Sequence, residues 1–222
     1  MKRYLNRAAV LLLATQLLLP MTLSAAGGSS APDDDTQQEA AAAYNRGLRQ
    51  RDKAWELEKK LATKTVEADR AKLEAKIGKE YEKAIDSFRE ATEANPQMHQ
   101  AYSSLGYALR KTGDYTSSLA AYNLALELEP SYSEAIEYRG EAFLGLNRIE
   151  DAKGAYLELF RADRARADEL MAAMKTWVEE RSGQPSVVDP DKLQQFSAWV
   201  EERSAIAAQT ASLVESSDTA WE

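Results

Sequence analysis

The sequence predicts an all-α protein: a short helical solenoid with a long N-terminal helix before it and a C-terminal capping helical hairpin after it. Three observations carry this expectation. Gly and Pro are scarce, 10 and 6 in 222 residues, and long stretches without either breaker favour helices over a sheet sandwich. Residue types recur at a fixed offset of 34 through the middle of the chain, which is how a stacked repeat shows itself in sequence. The segments on either side place apolar residues at helical spacing. With 44% hydrophobic and 29% charged residues the composition is that of a folded domain.

The first 26 residues read as a signal peptide and stand apart from the fold. Lys2, Arg3 and Arg7 give a basic start, Ala8 to Leu19 an apolar run, and Pro20 precedes the small residues Ser24-Ala25-Ala26. That order is the one a secretory signal requires, and the run is short for a membrane span of about 20 residues. Export to a periplasmic location is the expectation, with secretion as the lesser one and an uncleaved anchor as the alternative. With no Cys there is no thiol for a lipid anchor, a disulfide or a thiolate metal site.

Taking the three basic residues of the leader from 28 Lys+Arg against 36 Asp+Glu leaves a mature net charge of −11. Such acidity disfavours nucleic acid, whose affinity rests on cations neutralising phosphates. No basic amphipathic stretch for anionic lipid stands out either.

Residues 27–38 (GGSSAPDDDTQQ) read as a flexible, disordered leader. From 39 to 77 the chain is rich in strong helix formers, and Gly47 is its one breaker. Tyr44, Trp55, Val66 and Ile77 recur every 11 residues, so one straight helix would keep them on one side. Such a helix either docks on its own domain or pairs with a second copy, making a homo-oligomer.

The repeat is written in columns. Ala84, Ser118 and Ala152 lie 34 apart, as do Phe88, Tyr122 and Tyr156, and then Ala91, Ala125 and Leu159. Upstream come Ala68, Tyr102 and Ile136, then Lys72, Gly106 and Gly140, then Ala75, Leu109 and Phe143. Small columns mark where two helix backbones approach, and large columns fill the space between units. Gly113-Asp114 and Asn147-Arg148 are the turns within units, and Asn95-Pro96 and Glu129-Pro130 end second helices. Three units of residues 65–98, 99–132 and 133–166 follow.

The middle unit, AYSSLGYALRKTGDYTSSLAAYNLALELEP, resembles the tetratricopeptide repeat family at nearly every signature place: aromatic, Leu-Gly, Ala or Ser, aromatic, Ala and Pro. The third unit lacks the closing Pro, and the first has Lys72 where a small residue belongs. This departure marks its first helix as the end of the long 39–77 helix, packed in its own way.

Residues 167–214 read as the hairpin. Leu170, Met174, Trp177 and Val178 share one face of a first helix. Gly183, Pro185 and Pro190 interrupt the chain, Asp189 caps a second helix, and Leu193, Phe196, Val200, Ile206, Leu213 and Val214 supply its apolar side. WVEERS occurs in both helices, at 177–182 and 199–204, either as a functional duplication or from equal packing needs. A hairpin here would cover the open end of the solenoid. Residues 215–222 read as a flexible tail with Trp221 as a possible anchor.

Catalytic constellations are missing from the sequence, so no enzyme, cofactor or metal is expected. His99 is the one histidine, read as a helix-start residue, and one His without Cys builds no usual zinc site. No glycine-rich phosphate loop or nucleophile elbow occurs. The pairs Glu179-Glu180 and Glu201-Glu202 are adjacent on helices, so each spans a face rather than forming a dyad.

The family resemblance implies a concave groove lined by first helices that takes a peptide or helix of a partner protein. Counted from the signature columns, it places Gln100, Ser103, Tyr107, Arg110 and Lys111 of the second unit there, and Glu134, Glu137 and Glu141 of the third. The first set offers stacking and charge-assisted hydrogen bonds, the second a row of carboxylates, giving a groove with positive and negative ends. The same residues would equally serve as solvated faces. The basic and Asn-rich clamp some members use for a terminal carboxylate is not matched. The expected role is therefore a non-enzymatic interaction scaffold of the cell envelope. The alternatives are an oligomerising structural component and an accessory chaperone for exported proteins.

Overall fold

The computed structural model describes residues 33–183 and 188–218, with side chains as far as 212. The signal segment, the leader to residue 32 and the tail from 219 with Trp221 lie outside the described residues. All regular structure among the described residues is helical: α1 (Asp34–Ala62), α2 (Glu67–Ala94), α3 (His99–Lys111), α4 (Tyr115–Leu128), α5 (Ser133–Gly145), α6 (Ile149–Ala162), α7 (Arg164–Ser182) and α8 (Pro190–Asp218). They stack as four successive antiparallel hairpins, each first helix resting on the hairpin before it.

The first helices of the second and third units start at His99 and Ser133, where those units were expected to begin, but the third unit ends at Ala162 and residues 164–166 belong to α7. Gly113 (φ 85°) and Asn147 (φ 57°) take the left-handed conformation in the turns within these units, which Gly and Asn adopt at least cost. Asp114 caps α4 by accepting from the Ser117 N–H at 3.1 Å. The predicted columns of the second helices form the core: Ala84, Ser118, Ala152, Phe88, Tyr122, Tyr156, Ala91, Ala125 and Leu159 are all fully buried. Ser118 satisfies its hydroxyl by donating to the Gly106 carbonyl at 2.8 Å, as burial of a polar group demands.

The single helix expected over 39–77 is two helices. α1 ends at Ala62, Val66 is extended and 58% exposed as the N-cap of α2, and the chain folds back on itself. The 11-residue stripe thus divides. Tyr44 and Trp55 on α1 pack into the same cluster as Ile77 of α2, while Val66 is outside it. Thr63, Thr65 and Val66 crowd β-branched residues at the break, where helix propensity is weakest. Folding back also lets an apolar face find a partner within the chain.

The fold-back changes the first repeat unit. Its first helix is α1, with Gly47 in the small-residue place, and not the segment around Lys72. A Cβ on Gly47 would come 2.5 Å from the Phe88 ring, as one on Gly106 would come 2.7 Å from the Tyr122 ring. Ala68, Lys72 and Ala75, aligned with the first helices of the later units, are all exposed. The register was hidden because α1 and α2 run to 29 and 28 residues, about twice the 13 and 14 of α3 and α4. The 34-residue offset therefore fails across this hairpin. Residues 34–38, expected in the leader, form the first turn of α1, capped by Asp33, which accepts from the Thr36 N–H at 2.8 Å.

The C-terminal hairpin is present with wider bounds. α7 begins at Arg164, capped by Asp163 through the Arg166 N–H at 3.2 Å, and α8 continues to Asp218, into the expected tail. Asp189 caps α8, accepting from the N–H groups of Asp191 and Lys192 at 3.0 and 3.1 Å. Both WVEERS segments serve packing. Trp177 is buried and donates from Nε1 to the Leu144 carbonyl at 2.8 Å. Trp177, Phe196, Trp199 and Tyr156 form a chain of ring contacts from α7 through α8 to α6, with centroids 5.6 to 6.1 Å apart. In each copy the arginine lies over its tryptophan, at 5.4 and 5.8 Å.

Two outcomes are expected in urea unfolding. Gly47→Val lowers stability by about 1–3 kcal/mol through overpacking against Phe88, whereas Lys72→Val changes it by less than about 0.5 kcal/mol; the reverse order would restore Lys72 to the repeat. Trp177→Ala costs about 3–5 kcal/mol, chiefly through the cavity it leaves, since the Leu144 carbonyl keeps the Asn147 N–H at 2.9 Å.

Candidate partner-binding face

The first helices α1, α3, α5 and α7 share one face, built as a ladder of rings and ion pairs. Tyr107 of α3 is its centre. The Trp55 Nε1 of α1 donates to the Tyr107 hydroxyl at 2.7 Å, and the Tyr107 ring meets those of Trp55 and Tyr138 at 5.8 and 5.0 Å. The Arg110 guanidinium lies over both Tyr107 and Tyr138, at 5.2 and 5.3 Å, and pairs with Glu141 of α5. Lys111 pairs with Glu58 of α1 at 2.8 Å, and Glu58 also accepts from the buried Tyr81 hydroxyl at 3.0 Å. Arg166 of α7 donates to Glu137 at 2.7 Å and to Glu134 at 3.3 Å.

The eight residues inferred from the repeat columns therefore have different surroundings. Arg110, Lys111, Glu134, Glu137 and Glu141 are all paired, each across to a neighbouring first helix. The expected split into positive and negative ends is absent, because the cations of one unit reach the carboxylates of another. Ser103 is buried, its hydroxyl without a hydrogen-bond partner, and so is no part of an open surface. Gln100 is exposed and Tyr107 half-buried.

Burial decides the electrostatics of this face. Glu137 is only 3% exposed, and desolvation pushes its carboxyl up to about 8, with Arg166 opposing and the Glu141 charge adding to the rise. The Arg110 guanidinium is held above its ordinary value by the carboxylate of Glu141, against the desolvation that burial imposes. Such pairs fix the relative placement of helices while their own net stabilisation is small.

Beside the Arg110–Glu141 pair the face opens into a cleft of about 270 Å³ lined by Tyr115, Leu144, Ala173, Thr176, Trp177 and Glu180, among others. Thr176 and Glu180 are exposed, and Trp177 supplies an aromatic wall. Trp55, Glu58, Tyr138, Arg166 and Thr176 escaped the column argument. Trp55 and Glu58 reach the face only through the fold-back of α1. Arg166 belongs to a fourth first helix that is out of step with the 34-residue offset. No group of His, Asp or Glu side chains suited to hold a metal ion occurs among the described residues.

Residues 69–133 match the family model described as tetratricopeptide repeat. The chain is 35% identical over 83 residues to a protein described as Protein SGT1 homolog from Oryza sativa subsp. japonica. It is 36% identical over 64 residues to the small glutamine-rich tetratricopeptide repeat-containing protein 2 of Mycosarcoma maydis. These matches take in 37% and 29% of this chain and span only 22% and 18% of those proteins. Among solved structures, the Arabidopsis OM64 tetratricopeptide domain aligns with 65% of this chain and 98% of its own, at TM-score 0.48 and 15% identity. The first such domain of Spaghetti (RPAP3), solved with an HSP90 peptide, aligns with 60% and 96%, at TM-score 0.42 and 20% identity. Residues 69–133, where the columns and the family model coincide, are thus similar to the tetratricopeptide repeat family.

Proposed function

We propose that the protein is a non-enzymatic interaction module that holds a peptide or helix of a partner protein on the face of its first helices. One observation carries this reading: a single face runs across α1, α3, α5 and α7 and opens into a cleft walled by Trp177, Leu144 and Thr176. Its rings and charges are already placed by ion pairs between helices, so a partner meets a preorganised surface and little ordering entropy opposes binding. Partner contact centres on the open cleft, and the paired Arg110, Glu137 and Glu141 act as its frame. The basic, apolar, small-residue order of residues 1–26 supports an exported, periplasmic setting. The oligomerising alternative has less apolar surface to draw on, because Tyr44, Leu48 and Trp55 pack against the core cluster of the same chain.

A photo-reactive side chain at Thr176 is expected to capture a defined partner in intact cells, while one at Asn123, exposed on α4, captures none. For that partner, purified, Thr176→Arg with Ala173→Arg should weaken binding at least about tenfold, or 1.4 kcal/mol, by calorimetry. Capture from both positions alike, or unchanged affinity, would remove the cleft from the binding site.

A further inference from the structure

The fold-back of α1 on α2 assembles a surface that no single segment of the sequence displays. On α1, Arg46, Arg49, Lys53 and Lys60 lie at spacings of three, four and seven residues. On α2, Lys72, Lys76, Lys79 and Lys83 lie at spacings of four, three and four. Such spacings put each set along one side of its helix. Lys53 and Lys83 show that the two sides coincide, for both reach the same Glu80 oxygen, at 2.9 Å each. Arg46 is taken up by Glu90. Arg49, Lys60, Lys72, Lys76 and Lys79 are exposed and have no ion-pair partner among the described residues.

Glu56, Glu80 and Glu90 share this side, paired with Lys59, with Lys53 and Lys83, and with Arg46, so the five unpaired cations are a local excess in a chain of net charge −8. This cationic face is separate from the candidate partner-binding face, on which Trp55 and Glu58 point to α3. Its far end is the tip of the hairpin. There Val66, 58% exposed and one of the two large exposed hydrophobic residues described, follows Lys64 in a turn that ends two unusually long helices. Six of the eight cations are lysines, point charges suited to a diffuse anionic layer, whereas bidentate recognition of single phosphates favours arginine. An apolar residue beside clustered lysines is the composition of an interfacial membrane contact.

We propose that the outer face of the α1–α2 hairpin docks on an anionic lipid surface, with the lysines among the headgroups and Val66 at the tip adding an apolar contact. The chain would then be held at a bilayer while its first-helix face stays open to a protein partner. Docking of this kind needs no membrane span, and none of the described helices is long and apolar enough to be one.

The test is sedimentation of the full chain with vesicles of phosphatidylglycerol in phosphatidylcholine, against vesicles of phosphatidylcholine alone. Binding to the anionic vesicles only, weakening as salt is raised, is expected. Lys60→Gln with Lys72→Gln, Lys76→Gln and Lys79→Gln should weaken it by about a hundredfold or more. These positions are exposed, and an unchanged circular dichroism spectrum and urea midpoint confirm that the fold is kept. Val66→Asp should reduce vesicle binding severalfold. Both proteins of each comparison carry the same leader, so the difference isolates the hairpin. Equal binding of wild type and the four-lysine variant would overturn the proposal. So would a preference for poly-glutamate or duplex DNA over the anionic vesicles, which would assign the face to an acidic polypeptide or a nucleic acid. Cleft variants at Ala173 and Thr176 leave vesicle binding unchanged, so this outcome and that of the partner-capture experiment are independent.

Discussion

A glycine facing an aromatic ring sets how closely the helices of a hairpin approach. In α1–α2 the contact is Gly47 on Phe88, and in α3–α4 it is Gly106 on Tyr122. Where two backbones come this near, the second helix buries its small column and its ring in one layer, and the next first helix can rest on both. Leu170 of α7 shows the same rule one step on, seated where a Cβ on Gly140 would be. Interiors packed to crystal density leave no room for a compensating shift.

On the face built on this scaffold, ion pairs fix the placement of helices that packing holds together. Each ion pair on it joins neighbouring first helices: α1 to α3 through Glu58 and Lys111, α3 to α5 through Arg110 and Glu141, α5 to α7 through Glu137 and Arg166. In a solenoid, where each unit touches only its neighbours, such ties set how one first helix sits against the next. They also spend the charges that a count of columns would assign to a ligand. What is left open is the cleft next to Trp177, at the step where the third hairpin meets the fourth. The long first hairpin contributes on both sides, lending Trp55 and Glu58 to this face and turning its lysines outward.

Much of the fold was legible in the sequence. The second and third units, their turns at Gly113 and Asn147, the buried columns and the Asp189 cap all follow from local rules about backbone freedom, side-chain volume and capping. The break after Ala62 was not legible, because Thr63, Thr65 and Val66 lower helix propensity without forbidding a helix. An 11-residue stripe fits one straight helix and also two helices folded on each other. The candidate face was legible in part as a place in the fold. Tyr107 and Arg110 are on the inferred face, but Ser103 is buried and the charges are paired.

The sequence by itself determined an all-helical chain with a 34-residue repeat and a second-helix core, because periodicity and side-chain size act over a few neighbouring residues. The tertiary structure alone decided that Gly47 and not Lys72 completes the first unit, that Arg110 meets Glu141, and that lysines from α1 and α2 share one surface. Each of these joins residues from different helices, and which helices become neighbours depends on how the whole array stacks.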